Sequence, residues 1–339
     1  MKLRTLALAA VLGLASHAAK TVDFYFIDVE GGQATLIVTP AGESMLVDCG
    51  WPGFNGRDGD RILQTAKKAG VKKIDYVLVT HYHLDHVGGI EQLADRMKLG
   101  TFIVHGPNTE TGKRAEEMTA AYERAKAQSG AKELVVKPGD SIPLKGLDVK
   151  VLAGRGEQIS AALPGAGQPN PHCAHAPDSK DDPTENARSI GFLLTYGKFR
   201  FLNMADLTHK KELALACPNN LIGTVDVYLT NHHGLDTSNS APFVHMLRPK
   251  VAIMNNGARK GGSPAAIEVI RQSPGLQDLW MLHYSVAAGK EGNVPDSFIA
   301  NVDEADDRGH NIKVSAESSG AFTVRNDRNR FEKRYAPGS

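Results

Sequence analysis

An α/β fold made of two β/α blocks that face each other over a shared core is what this 339-residue chain predicts. Three observations carry the expectation. Short apolar runs of strand length alternate with helix-length segments through both halves. Potential metal ligands stand directly behind these runs, most densely in Thr80-His81-Tyr82-His83-Leu84-Asp85-His86, followed by Val87-Gly88-Gly89. The second half repeats the device, with Asp206 ending one apolar run and His232-His233-Gly234 following another.

Taken in order, residues 22–29, 35–38 and 44–48 read as three strands with Gly turns between them. Residues 60–69 read as a helix capped by Asp60 and stopped by Gly70. A buried strand over 74–80 runs into the His cluster, and a helix over 90–97 starts behind it, ended by Leu99-Gly100. A short strand over 101–104 precedes an exposed helix over 111–129, closed by Gly130. Residues 134–136 and 147–152 are strands around the turn at Pro138-Gly139-Asp140.

In the second half, 190–196 and 199–204 form a hairpin over Gly197-Lys198. Strands at 225–230 and 251–254 alternate with helices at 210–216, 241–247 and 264–272. The tail carries strand-like pieces at 312–315 and 320–324, expected to add an edge to the second sheet. Residues 154–188 break the pattern: they are rich in Gly, Pro, Asn and Asp and show no periodicity. A loop this long inside a compact domain is usually functional or disordered, so it reads either as a substrate-facing loop or as an insertion without consequence.

Met1-Lys2-Leu3-Arg4, an apolar stretch from Leu6 and Ser16-His17-Ala18 have the form of a signal peptide cut near Ala18, which implies a periplasmic or secreted protein. The rest, 19–339, reads as one domain, because ligands spread over most of it must meet at one site. No later apolar run is long enough for a membrane span. The chain has 39 basic and 38 acidic residues, so loss of Lys2 and Arg4 turns the net charge from +1 to −1. Such a balance gives no general attraction for nucleic acid, which argues against a dedicated DNA-binding protein and leaves a small molecule or a phosphodiester as the partner. Of three cysteines, Cys173 and Cys217 lie in loop-like sequence and are the favoured disulfide, while Cys49 ends an apolar strand and reads as a buried small residue. Oligomeric state is not legible.

His81 and His83, two apart on an extended strand tip, can converge on one cation, while Asp85 and His86 on the following turn can face another. Imidazole with carboxylate suits zinc and related divalent ions. This motif resembles the metallo-β-lactamase superfamily of metallohydrolases. Phe26-Ile27-Asp28-Val29-Glu30-Gly31-Gly32-Gln33-Ala34 is similar to the opening strand and turn of that fold, and Leu46-Val47-Asp48-Cys49-Gly50 to its next strand. The opening and the His-His-Gly ending look closest to the hydrolase domain of bacterial DNA-uptake (competence) channel proteins. Phosphorylcholine esterases of cell-surface proteins look similar too.

The resemblance implies a four-layer αββα sandwich and two Zn²⁺ per chain. His81 and His83 would hold the first, Asp85 and His86 the second, and Asp206 would bridge them. His233, ahead of its neighbour His232, would complete the second site, with His232 orienting a ring. Many members have a third His for the first zinc shortly before the strand that here starts at Ser189; this chain has Asp182-Pro183-Thr184-Glu185-Asn186-Ala187-Arg188 instead. Asn186 or Glu185 would substitute with oxygen, His172 or His175 would fold back from the long loop, or the first site is weak. Ala205 also replaces the Gly that usually precedes the bridging Asp. His105 and His245 read as structural, while His209 and the strand end at His283-Tyr284 could approach the cleft.

Two adjacent cations bring a shared water toward a pKa on the order of 7 and so make hydroxide available at neutral pH, with Asp85 as the catalytic carboxylate that orients it or carries its proton. No Gly-x-Ser-x-Gly nucleophile segment appears. Phosphodiester hydrolysis is the first expectation, with Arg155, Arg188, Arg259 and Lys260 as loop cations for phosphate. Lactone or β-lactam hydrolysis is the second. A zinc-holding protein without useful turnover is the third. A basic groove would favour the first, and an apolar cleft under the long loop the second.

Overall fold

The computed structural model describes residues 20–338; the expected leader, 1–18, lies outside the described residues. Strand β1 (Thr21–Phe26) alternates in burial, sending Val22, Phe24 and Phe26 inward. It pairs antiparallel with β2 (Thr35–Val38), and β2 with β3 (Ser44–Val47). Pairing then turns parallel through β4 (Lys73–Leu78), β5 (Lys98–Val104) and β6 (Glu133–Val135), because each crossover now carries a helix. These are α1 (Arg57–Lys68), then α2 (Leu84–Val87) with α3 (Ile90–Ala94), then α4 (Lys113–Ser129).

The second block repeats the scheme. Strands β7 (Asp148–Gly154), β8 (Glu157–Gln158), β9 (Gly191–Tyr196) and β10 (Phe199–Asn203) are antiparallel. Strands β11 (Val227–Leu229), β12 (Val251–Met254), β13 (Asp278–His283) and β14 (Ile299–Asn301) continue in parallel, with α5 (His209–Ala216), α6 (Ala241–Leu247), α7 (Pro264–Arg271) and α8 (Gly289–Gly292) in the connections. The last strands, β15 (Ile312–Glu317), β16 (Phe322–Asn326) and β17 (Glu332–Tyr335), return to the first sheet. The orders are β17-β16-β15-β1-β2-β3-β4-β5-β6 and β14-β13-β12-β11-β10-β9-β7-β8.

Three apolar layers hold four structural ones together. Phe24, Phe26, Phe192, Phe199, Phe201 and Trp280 fill the space between the sheets. Ile62, Ala66, Leu93, Met118 and Tyr122 bind the first helices to one outer face, and Leu215, Phe243, Leu247 and Ile267 bind the second set to the other. Each buried Phe contributes about 1.5–3 kcal/mol. This is the expected αββα sandwich.

Four expectations are corrected. The tail strands extend the first sheet, not the second: β15 pairs with β1 over Thr21↔Glu317 to Phe26↔Ile312, while β14 already occupies the free edge of the second sheet. Helix α1 begins at Arg57, entered through Gly56 at φ 81°, and Asp60 accepts from Arg96 Nε at 2.6 Å instead of capping. Leu99-Gly100 belongs to β5, where a Cβ on Gly100 would meet the Asp75 carbonyl at 2.1 Å. The middle of the 154–188 loop does not face the site. It runs over the outer helices, with Asn170 Nδ2 donating to the Ala216 and Pro242 carbonyls and a Cys173–Cys217 disulfide fastening it, as the cysteine positions favoured. Cys49 is buried and free.

Candidate metal centre

The C-terminal ends of β4, β10 and β11 open on one edge, and each delivers side chains there. Strand β4 leads into His81 and His83, and α2 carries Asp85 and His86. The turn behind α2 is held tightly: Cys49 N donates to His86 O at 2.6 Å and Gln33 N to Asp85 O at 3.0 Å. Gly88 and Gly89 are required by close approach, since a Cβ on either would lie 2.1–2.2 Å from the Cys49 carbonyl, the Leu84 carbonyl or Pro52. Asp206 follows β10, and His232 and His233 follow β11 in a turn where both adopt left-handed backbone, φ 51° and 55°. Such conformations cost energy and persist where the fold imposes them.

Four donor-bearing side chains converge. Single ligand atoms of Asp85, His86, Asp206 and His233 all lie within 4.8 Å of one another, and all four residues are buried. His86 Nε2 stands 3.2 Å from Asp206 Oδ2, 3.5 Å from Asp85 Oδ2 and 3.3 Å from His233 Nε2. His233 Nε2 stands 3.1 Å from Asp85 Oδ2 and 3.4 Å from Asp206 Oδ2. Burial opposes charge on both carboxyls, yet the neighbouring imidazoles, led by His86, hold Asp85 and Asp206 well below the usual carboxylate range. His86 turns its other nitrogen to Asp48 Oδ2 at 2.8 Å, and His233 Nδ1 faces the Asn255 amide at 3.1 Å. With the His86 Nδ1 hydrogen given to Asp48, the Nε2 lone pair faces two carboxylates and a second imidazole, a set that fits a divalent cation.

The other expected ligands are placed less uniformly. His232 does not orient its neighbour; its Nε2 reaches Asp206 Oδ2 itself, at 3.5 Å. His81 Nε2 lies 3.9 Å from Asp206 Oδ2 and 3.1 Å from His83 Nδ1, so this pair flanks the cluster on the side of Asp206. His83 Nε2 is held by Glu110 at 3.0 Å. Glu185 is committed elsewhere: its carboxylate receives His105 Nε2 at 2.8 Å and the Thr109 hydroxyl at 2.6 Å. Burial works against its charge, but His105 and Thr109 pull its pKa down to about 2. Asn186 Oδ1 is buried without a hydrogen-bond partner, three residues before Ser189, whose hydroxyl lies 3.4 Å from His81 Nδ1. His172 and His175 do not fold back. His172 packs edge-on against His245 at 5.1 Å, and His175 lies exposed in the same outer segment. The disulfide and the Asn170 bonds keep that segment over α6.

Of the loop cations expected for phosphate, one reaches the cluster. Lys260 Nζ donates to Asp85 Oδ2 and to Gly31 O. The basic groove expected from Arg155, Arg188 and Arg259 is not formed as such, because Arg259 pairs with Glu304 at 2.5 and 3.0 Å and Arg188 donates to the Arg155 carbonyl. His283 does not open on the cleft; it is buried with Nε2 2.7 Å from Asp28 Oδ1, and Arg61 completes that group at 3.1 Å from Asp28 Oδ2. His209 starts α5 beside Asp236 and Ser238 and stands outside the four-residue cluster.

Residues 27–181 match the family model of the metallo-beta-lactamase superfamily. The two-sheet fold is in keeping with that match. In line with the competence-type pattern, ComE operon protein 3 of Bacillus subtilis is 26% identical over 204 residues, 59% of this chain and 22% of that protein. The chain thus matches about a fifth of that relative's length. A ribonuclease Z of Bradyrhizobium is 39% identical over 75 residues, 21% of this chain and 23% of that one. Among solved structures, the metallo-beta-lactamase fold protein YhfI of Bacillus subtilis superposes with a TM-score of 0.47 at 12% identity, over 77% of this chain and 96% of that one. Among the described residues no helix is long and apolar enough to cross a membrane.

Proposed function

We propose that the chain is an exported zinc-dependent hydrolase of phosphodiesters. The carrying observation is the convergence of Asp85, His86, Asp206 and His233 at one strand-end edge, with His86 oriented from behind by Asp48. A zinc ion held there supplies Lewis acidity and a more acidic water. The residues do the rest. Asp206 is reached by His86, His232 and His233 and is the natural shared ligand, and His81 with His83 offers a further nitrogen pair beside it. Asp85 can orient the attacking water or accept its proton. Lys260 is a cation at the rim for an anionic substrate oxygen. The name of the ribonuclease relative supports phosphate chemistry. Lactone or β-lactam hydrolysis draws less support, because the long loop does not roof the centre with an apolar cleft.

The test is hydrolysis of a chromogenic phosphodiester by zinc-loaded protein, beside a chromogenic cephalosporin and a simple lactone, with Asp85→Asn as the blank. Phosphodiester turnover that falls at least about 100-fold in the variant is expected. Turnover of the cephalosporin or lactone alone would sink this reading. Zinc uptake with no turnover of any of the three would favour a binding protein.

A further inference from the structure

Of the four loop cations offered by the sequence for phosphate, Lys260 alone touches the cluster. Its ammonium is held from three sides: by Asp85 Oδ2, by the Gly31 carbonyl at 2.8 Å, and by the Trp51 ring, 4.9 Å from Nζ to the centroid. The side chain is about a third exposed, at 31%, so it stands at the mouth of the site. Its backbone is fixed as well, because Gly257 N donates to Lys260 O at 2.8 Å and a Cβ on Gly31 would meet both Gly257 and Lys260 Cβ.

The oxygen that receives Lys260 is the same one that faces His233 and His86, at 3.1 and 3.5 Å. An ammonium in hydrogen-bond contact with that oxygen and a divalent cation bonded to it would stand within a few ångström of each other, where like charges in a buried site repel strongly. One must give way. We propose that Lys260 is a resident cation of the centre that exchanges with the divalent ion for Asp85, so that loading the metal frees the ammonium for an anionic oxygen of the substrate. This rests on the reading of the cluster as a divalent-cation site. Without the ion, Lys260 neutralises a buried carboxylate that would otherwise be costly. With the ion, the carbonyl of Gly31 and the face of Trp51 still hold the ammonium at the rim. Linkage makes the exchange reciprocal: whatever the ion does to Lys260, Lys260 does to the ion's affinity.

Two measurements on the purified protein decide it. The first is lysine-directed acylation, read by mass spectrometry at Lys260, with and without saturating Zn²⁺. The second is calorimetric titration of Zn²⁺ into wild type, Lys260→Met and Lys260→Gln; the Gln variant keeps a donor for Gly31 O and guards against loss of folding. Labelling of Lys260 that rises at least about threefold on loading, with Zn²⁺ bound about tenfold more tightly by both variants, is the expected result. A merely structural lysine would leave the labelling unchanged. Zn²⁺ bound by wild type with unchanged labelling, or bound no more tightly by the variants, overturns the exchange and leaves the cation site standing. Failure of all three proteins to take up Zn²⁺ overturns the cation site itself, and the exchange with it.

Discussion

The Nδ1 atom of His86 lies 2.8 Å from the Oδ2 atom of Asp48, both side chains are fully buried, and the two residues are 38 apart in sequence. Asp48 also receives Thr80 N at 2.8 Å and the Thr80 hydroxyl at 2.7 Å. One carboxylate thus fixes the entry to the His cluster and the ring direction of its last member. Partners of this kind tune affinity by roughly 10–100-fold when removed. Asp48→Asn should weaken Zn²⁺ binding at least about tenfold with the fold retained, read by calorimetry and far-ultraviolet circular dichroism. Unchanged affinity would remove Asp48 from the centre.

His232 and His233 are adjacent but unequal. His233 reaches both Asp85 and Asp206, whereas His232 reaches Asp206 alone and is bonded to the Thr237 hydroxyl at 3.1 Å. His233→Ala should therefore cost more than the roughly 100-fold typical of an outer partner, and His232→Ala less. Metal titrations of the two variants check this, and the reverse order would reassign the ligand.

The grouping of Asp85, His86, Asp206 and His233 is legible because each stands just behind an apolar run, and the two facing sheets bring such strand ends, β4 from one and β10 and β11 from the other, to one edge. Legibility stops where a contact depends on which strands are neighbours. Asp48 with His86, Glu110 with His83, and Lys260 with Asp85 are all long-range pairs with no local spacing to announce them. His283 reads as a cleft residue for the same reason: a strand end gives the edge, but the partner Asp28 lies 255 residues away. Alternation in β15 shows which side chains point inward, yet says nothing of which sheet has a free edge.

Ala205 occupies a left-handed backbone position, φ 49°, directly before Asp206. Gly, which the resemblance leads one to expect there, would enter that region without the Cβ penalty of about 1–2 kcal/mol that Ala carries. Ala205→Gly should stabilise the protein by up to about 1 kcal/mol once the extra freedom of Gly in the unfolded chain is subtracted. Denaturant unfolding measures it, and a loss of stability would show that the Ala methyl packs better than its backbone is strained.

The Asp28–His283 pair carries a pH signature. Burial disfavours charge on His283, but the hydrogen bond to Asp28 outweighs it and raises the imidazole above its ordinary 6.5. Burial likewise opposes the Asp28 charge, and His283 with Arg61 lowers it below its ordinary 3.8. The raised His contributes stability in full below pH 6.5 and loses it as pH rises through the folded value. The lowered Asp contributes in full above pH 3.8 and loses it as pH falls through its folded value. His283→Gln should therefore show its largest stability deficit near pH 5–6 and a shrinking one in alkaline buffer, in melts run from about pH 4 to 9. A deficit that grows with pH would contradict the assignment.

The return of β15–β17 to the first sheet places β1 between a partner made at once and one made almost 300 residues later, since Thr21 lies opposite Glu317. Until β15 arrives, a strand with Val22, Phe24 and Phe26 on one face presents a bare hydrogen-bonding edge, and Phe199 lacks Phe322, its neighbour at 5.6 Å. Open apolar edges recruit other chains. A message cut short before residue 312 would then yield a product that carries every residue of the centre and is nonetheless sticky, so for this protein the fidelity of finishing translation is itself a safeguard against aggregation.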